Sequence, residues 1–228
     1  MKENHDHGSA IIRDIILGGQ DGLVNVLGIV LAVATATSSK YIVFISGLAA
    51  TFAESISMAA VAYTSAKAGK EFYRKKRIEL EKRVKKNPVE TRATLNDLFG
   101  KCGLQGTLLN KAIQHVMRNK KELHRVLVTY EANEVEEFAH PVRDAAVVGF
   151  AAIVGSLVPL IAFVFLPVFS AVWAALAIST VVLFASGAMK GTFTGVHPVR
   201  SGIEMMIVGM TAAIVGYVIG LLLGAVPV

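Results

Sequence analysis

Five runs of about twenty residues, nearly free of charge, dominate this 228-residue chain and leave it few ways to fold. They extend from Ile11 to Ser38, Ile42 to Lys67, Ala145 to Leu166, Ser170 to Ala188 and Ile203 to Leu223. Hydrocarbon offers no partner to a bare N–H or C=O, so such runs cross a bilayer as helices that satisfy their own backbones. The expected class is therefore an all-α integral membrane protein: five transmembrane helices, with a cytoplasmic helical insert between the second and third. Apolar residues make up 54% of the chain and charged ones 18%, which suits that class and not a soluble domain. The first run is too long for a signal peptide, carries Asp14 and Asp21 and lacks a small-residue cleavage site, so it is expected to be retained.

Charge divides the chain into residues 1–67, 68–142 and 143–228. Residues 67–144 hold 18 of the 23 Lys and Arg against 11 of the 17 Asp and Glu. The positive-inside rule then puts this segment in the cytoplasm, with the Ser39-Lys40 and Pro167 to Phe169 turns outside and the Lys190 to Arg200 loop inside. Cys102 is the only cysteine, so an internal disulfide and a cysteine-based zinc motif are both excluded. Five spans cannot split into equal inverted halves, which favours a pore shared by two protomers in a homodimer.

Within the insert, the second span is expected to continue as a charged helix to about Lys86, ended by Asn87-Pro88. Helices from Pro88 to Lys101, Leu108 to Asn119 and Lys121 to Ala139 follow, the last stopping before Pro141. So small a helical domain has little core of its own, and dimerisation would add burial.

The chemistry lies in the first two spans. Asp14, Gly18, Asp21, Asn25 and Gly28 recur at helical spacing and form one small, polar face. Ile15, Ile16, Leu23, Val26 and Val30 lie opposite, suited to lipid or apolar packing. On the second span Gly47, Ala50, Glu54, Ser57, Met58 and Val61 make a comparable stripe. A carboxylate at bilayer depth costs at least a few kcal/mol, so it faces a partner, a cavity or an ion. Asp21 lies 17 residues before Ser38 and Met58 lies 17 after Tyr41, both about 25 Å from the turn joining the two spans. A carboxylate level with a thioether is a mixed hard and soft set, suited to Fe(II), Mn(II) or Co(II) over Mg(II) or Ca(II). Met58 also fits as core filler, and Asp14 as an ion-pair partner of Arg13 or of a neighbouring helix end. Asp21 and Glu54 together point to an ion or proton path.

These segments resemble the vacuolar iron transporter family. The likeness rests on Arg13-Asp14-Ile15-Ile16-Leu17-Gly18-Gly19-Gln20-Asp21-Gly22-Leu23, and on Ile56-Ser57-Met58-Ala59 followed by Tyr63 and Lys67. Leu98-Phe99 with Gly103-Leu104, Gly155 with Val158-Pro159-Leu160, and Gly187-Ala188-Met189-Lys190-Gly191 with Thr194-Gly195 extend it along nearly the whole chain. The resemblance implies Fe(II), and often Mn(II), moving out of the cytosol in exchange for protons. It also implies Asp14, Asp21 and Met58 on the translocation path, a cytoplasmic insert and a homodimer pore. Plant-type members carry a glutamate eight residues before the path methionine; here that position is Ala50, and Glu54 one turn on reads as a relocated carboxylate. The family insert also carries paired Glu-x-x-Glu sets and a Met-Met pair; here Arg92, Leu95 and Val126-Leu127 occupy those places, while Glu131 keeps its own.

The expected path is thus Asp14, Asp21, Asn25, Glu54 and Met58, with metal held by Asp21, Glu54 and Met58. Glu131, Glu134 and Glu137 are spaced to line one side of the last insert helix, with Glu71, Glu79, Glu81, Glu90 and His124 as available partners in a weakened metal depot. A solvated face pairing with lysines explains the same glutamates. The runs Lys75-Lys76-Arg77, Lys82-Arg83 and Lys85-Lys86 suit anionic lipid headgroups better than nucleic acid. His5 and His7 fall in a terminal tail that could bind metal weakly, though a tail without function fits better. The leading function is a divalent-metal/proton antiporter, needing no cofactor beyond its cargo; the alternative is a non-transporting metal-sensing or lipid-binding membrane scaffold. Nothing resembles a nucleophile and base pair or a phosphate loop, so an enzyme is not expected. The topology puts the protein in the plasma membrane of a prokaryote or the vacuolar membrane of a eukaryote.

Overall fold

A computed structural model describes residues 3–132 and 140–224, and among them every regular element is a helix. In chain order these are α1 (Glu3–Thr37), α2 (Lys40–Lys86), α3 (Pro88–Lys101), α4 (Gly106–Arg118), α5 (Lys120–Ala132), α6 (Pro141–Phe165), α7 (Val168–Thr194) and α8 (Pro198–Gly224). α1, α2, α6, α7 and α8 are each long and apolar enough to cross a membrane.

The helices outrun the apolar segments, because charge ends a hydropathy run without ending a helix. The expected Lys190 to Arg200 loop shrinks to Gly195-Val196-His197. α7 stops where Gly195 turns left-handed (φ 72°) and its N–H returns to the Gly191 carbonyl, and Pro198 opens α8 at a position that needs no N–H. At the other end, Ser38 and Ser39 alone separate α1 from α2, with Ser38 at φ 51°. Within the last insert helix the structure describes α5 to Ala132; the expected continuation to Ala139 lies outside the described residues.

The chain divides into two compact units, one of residues 1–64 and 141–228 and one of residues 65–140. In the first, α1 packs against α6, α7 and α8. Glycines let these backbones touch. A Cβ at Gly155 would collide with the Gly19 carbonyl, and one at Gly216 with that of Gly28, so α6 and α8 both meet α1 at van der Waals distance. Val26, Leu27, Val30 and Leu31 of α1 are fully buried with Val43, Leu160, Phe163, Ala171 and Ala175. The face opposite the polar stripe is therefore mainly core, although Ile15 stays exposed.

The second unit has its own core of Leu80, Leu95, Ile113, Leu123 and Leu127, flanked by Val84, Phe99, Leu109, Val116, Met117 and Val126. Leu95 and Val126-Leu127, which stand where the resembling family would place metal-collecting groups, thus fill an apolar interior. Leu95 is 0% and Leu127 2% exposed, leaving no room there for a solvated ion.

Candidate intramembrane carboxylate site

Asp21 and Asn25 follow each other by one turn on α1, and Glu54 lies on α2. Glu54 falls 13 residues after Tyr41 and Asn25 13 before Ser38, so the two sit at one depth. Asp21 and Asn25 lie close enough to the Glu54 carboxyl to act on it electrostatically. Two carboxyls and an amide thus gather between the two helices, a set of oxygen donors able to take a proton or a cation. Asp21 and Glu54 are half-buried and Asn25 is exposed on the protomer surface, so the cluster opens to one side.

α2 is shaped to present Glu54. Thr51 donates to the Gly47 carbonyl at 2.8 Å and Ser55 to that of Thr51 at 2.6 Å, which satisfies two buried hydroxyls on the side turned to the protein. Gly47 lies against Leu160 and Val30, and Ala59 and Ser55 against Gly149, seating α2 on α6 and α1. Ala50 is half-buried against the apolar cluster, a poor place for a carboxylate, while Glu54 one turn on meets polar partners. Met58 follows a further turn along, half-buried.

Asp14 sits apart from this cluster, 7% exposed, with the Arg13 Nη2 3.4 Å from its Oδ1. Asp144 and Arg143, at the start of α6, lie close enough to act on it electrostatically. Sequence reasoning passed over these two by starting the third span at Ala145. The missed signal is a repeated dipeptide, since Arg13-Asp14 and Arg143-Asp144 each precede an apolar run. The serine hydroxyls of Ser156 and Ser179 are also buried, with no hydrogen-bond partner.

The insert glutamates are placed differently. Glu71 pairs with Lys67 and Glu79 with Lys75, each at 4.0 Å and well exposed, and Arg77 pairs with Glu81 at 3.7 Å. Glu71 and Glu79 are eight residues apart on one helix, about 12 Å along its axis, too far to share an ion. Glu90 accepts a bond from Asn87. The side chains of His124 and Glu131, and all of Glu134 and Glu137, lie outside the described residues, as do the side chains of His5 and His7. Among the described residues no three His, Cys, Asp or Glu groups gather to hold a metal.

A family model described as VIT family matches residues 12–221. Among curated relatives, vacuolar iron transporter 1 of Tulipa gesneriana is 26% identical over 218 residues, covering 95% of this chain and 88% of the relative. Vacuolar iron transporter 1 of Arabidopsis thaliana is 26% identical over 213 residues, with 92% and 85% covered. The vacuolar iron transporter of Plasmodium falciparum is 27% identical over 240 residues, covering 97% of this chain and 85% of the relative.

Proposed function

The chain belongs to the VIT family, and from that premise we propose that it exports a divalent transition metal, Fe(II) first and Mn(II) second, from the cytosol in exchange for protons. Relatives named as vacuolar iron transporters support metal transport as the activity. The observation that carries the coupling is the proximity of Glu54 to Asp21 and Asn25 between two membrane-spanning helices. A divalent cation held between the two carboxyls needs both as anions, so metal and a proton on either group exclude one another. Exchange then follows from occupancy. Met58, one turn along the same stripe, adds a soft donor that selects against Mg(II) and Ca(II).

The exposed Asn25 edge of this cluster, within a protomer of five spans, suits closure by a second copy of the chain in a homodimer. The excess of positive charge between the second and third spans supports a cytosolic insert and hence outward transport, across the plasma membrane of a prokaryote or into a vacuole. The runs Lys75-Lys76-Arg77, Lys82-Arg83 and Lys85-Lys86 on α2 are suited to anionic headgroups.

The scaffold reading draws on one observation, the apolar core at Leu95 and Leu127 where a metal depot would be expected. Proteoliposomes separate the two readings. Fe(II) uptake that accelerates with an imposed proton gradient, together with proton counterflow, supports the antiporter; metal binding without flux supports the scaffold.

A further inference from the structure

The glycines of α8 change partner along its length. Near the Gly195 turn, Gly202 lies against Phe184 of α7, while Gly187 and Gly191 of α7 lie against Ser201 and Pro198. Toward the other end, Gly216 meets the Gly28 carbonyl of α1, Gly220 that of Ala32, and Gly224 meets Ala36. α8 is thus seated on α7 at one end and on α1 at the other, and a wedge opens between α7 and α8. It forms a groove of about 220 Å³ lined by Leu31, Val172, Leu176, Ala213 and Ile214. Met210 closes the deep end, its sulfur 3.2 Å from the Thr180 hydroxyl, which also donates to the Leu176 carbonyl at 2.7 Å. Trp173 and Tyr217 stand at the mouth. Trp173 lies six residues after Pro167 and Tyr217 seven before Gly224, each about 10 Å inside its helix end, whereas Met210 and Thr180 lie about 20 Å inside. Among the described residues, no charged side chain lines the groove.

We propose that this groove holds one acyl chain of a phospholipid, drawn from the leaflet on the side of the α1–α2 turn, with its headgroup at Trp173 and Tyr217. The α1–α2 and α6–α7 turns share that side, since the Lys40 Nζ donates to the Val164 carbonyl at 2.8 Å. The groove lies along spans long and apolar enough to sit in hydrocarbon, so lipid chains are what reaches it. An apolar cavity of about 150 Å³ already stays dry and takes up benzene, and this one is larger. A partner helix about 10 Å across needs roughly 400 Å³ per turn, so it would enter by side chains alone and leave the deep end without contacts. A flexible chain spans the roughly 10 Å from mouth to deep end. The two aromatics sit at the depth of the membrane interface, where the indole N–H and the phenol hydroxyl donate to phosphate or ester oxygens. With no charge in its lining, the groove selects the chain and not the headgroup charge. The occupant braces α8 against α7 at the end where glycines tie α8 to α1 instead.

Trp173 is the only tryptophan, so its fluorescence reports the occupant. The full-length protein in detergent is titrated with phosphatidylcholine brominated on its acyl chains. Saturable quenching at one lipid per protomer is expected, with phosphatidylglycerol of the same chains binding within about threefold. Ala213→Phe fills the back of the groove and should weaken the apparent affinity at least about tenfold, leaving the shallow, unsaturating quenching of lipid diluted in the micelle. Leu176→Phe, at a less buried position, should do the same if Ala213→Phe fails to assemble. Val208→Phe, on the opposite face of α8, should match wild type. Unsaturating quenching in wild type, or saturable quenching unchanged in the filled variant that assembles, overturns the proposal, and the wild-type titration decides by itself if neither assembles. A preference of about tenfold or more for phosphatidylglycerol overturns selection by the chain. Fewer protomers per particle in a filled variant, read by light scattering, would make the groove a contact between copies of the chain and overturn the lipid assignment.

Discussion

Glu54 and Glu79 lie on the same helix and carry the same side chain, yet they meet opposite surroundings. Glu54 is half-buried in a membrane-spanning segment, close to another acid and an amide. Glu79 is exposed, four residues from a lysine it meets at 4.0 Å. The first arrangement concentrates negative charge where desolvation opposes it, a cost of at least a few kcal/mol that only a proton or a cation relieves. The second is an ordinary i,i+4 pair contributing about 0.3–0.5 kcal/mol, and water already relieves it. What differs is the company the carboxylate keeps, and that separates the proposed transport site from a solubilising face. The two units repeat the contrast in their packing: glycines bring α1, α6 and α8 together backbone to backbone, whereas the second unit is cored by leucines.

The strongest attack on this comparison is Asp21→Asn. The amide keeps shape and hydrogen bonding but cannot supply the second anion, so Fe(II) flux should fall at least about a hundredfold while the protein still assembles. Flux within a few-fold of wild type, measured at equal reconstituted amounts, would show that the half-buried cluster is not where metal and proton compete.

Next comes Leu127→Ala in the insert. Truncating a side chain that is 2% exposed should destabilise the second unit by about 2–4 kcal/mol, read as a lowered unfolding midpoint. Flux at a temperature where that unit stays folded should hold within a few-fold. A hundredfold loss there would make the leucine core part of the transport machinery and erase the contrast between the units.

Met58→Leu is expected to do less. The swap conserves volume, costing under about 1.5 kcal/mol of stability, while removing the soft donor. Competition of Mn(II) against Co(II) in the same liposomes should shift a few-fold toward Mn(II), and an unchanged ratio would make Met58 a packing residue.

The positions of the five spans were legible because hydrocarbon tolerates so few charges that the runs between Ile11 and Leu223 stand out by themselves. The carboxylate stripes were legible because helical spacing fixes a face. The cross-helix partners were harder to read. Counting from the Ser38-Ser39 turn levels Asp21 with Met58, yet the structure brings Glu54 to Asp21, because a glutamate side chain spans nearly a turn and Glu54 starts level with Asn25. Arg143 and Asp144 escaped notice because a hydropathy boundary falls after them, although the helix starts at Pro141. Nor does sequence spacing tell that Leu95 and Leu127 meet, since they stand on different helices of a unit whose packing no periodicity encodes.

The smallest effect is expected from Glu71→Gln and Glu79→Gln together. Both acids are more than half exposed, and each pairs with a lysine four residues earlier, an orientation less favoured than glutamate before lysine on a helix. Removing both should change stability by less than about 1 kcal/mol and should leave the KM for Fe(II) within a factor of two. The alternative is specific. If these glutamates collect metal for the membrane site, their loss should raise KM while leaving kcat at saturating metal unchanged, because a depot raises local supply without touching the coupled step. A KM increase of fivefold or more with kcat intact would therefore return the insert to the metal pathway, and would mean that exposure to water does not by itself disqualify a carboxylate in this protein.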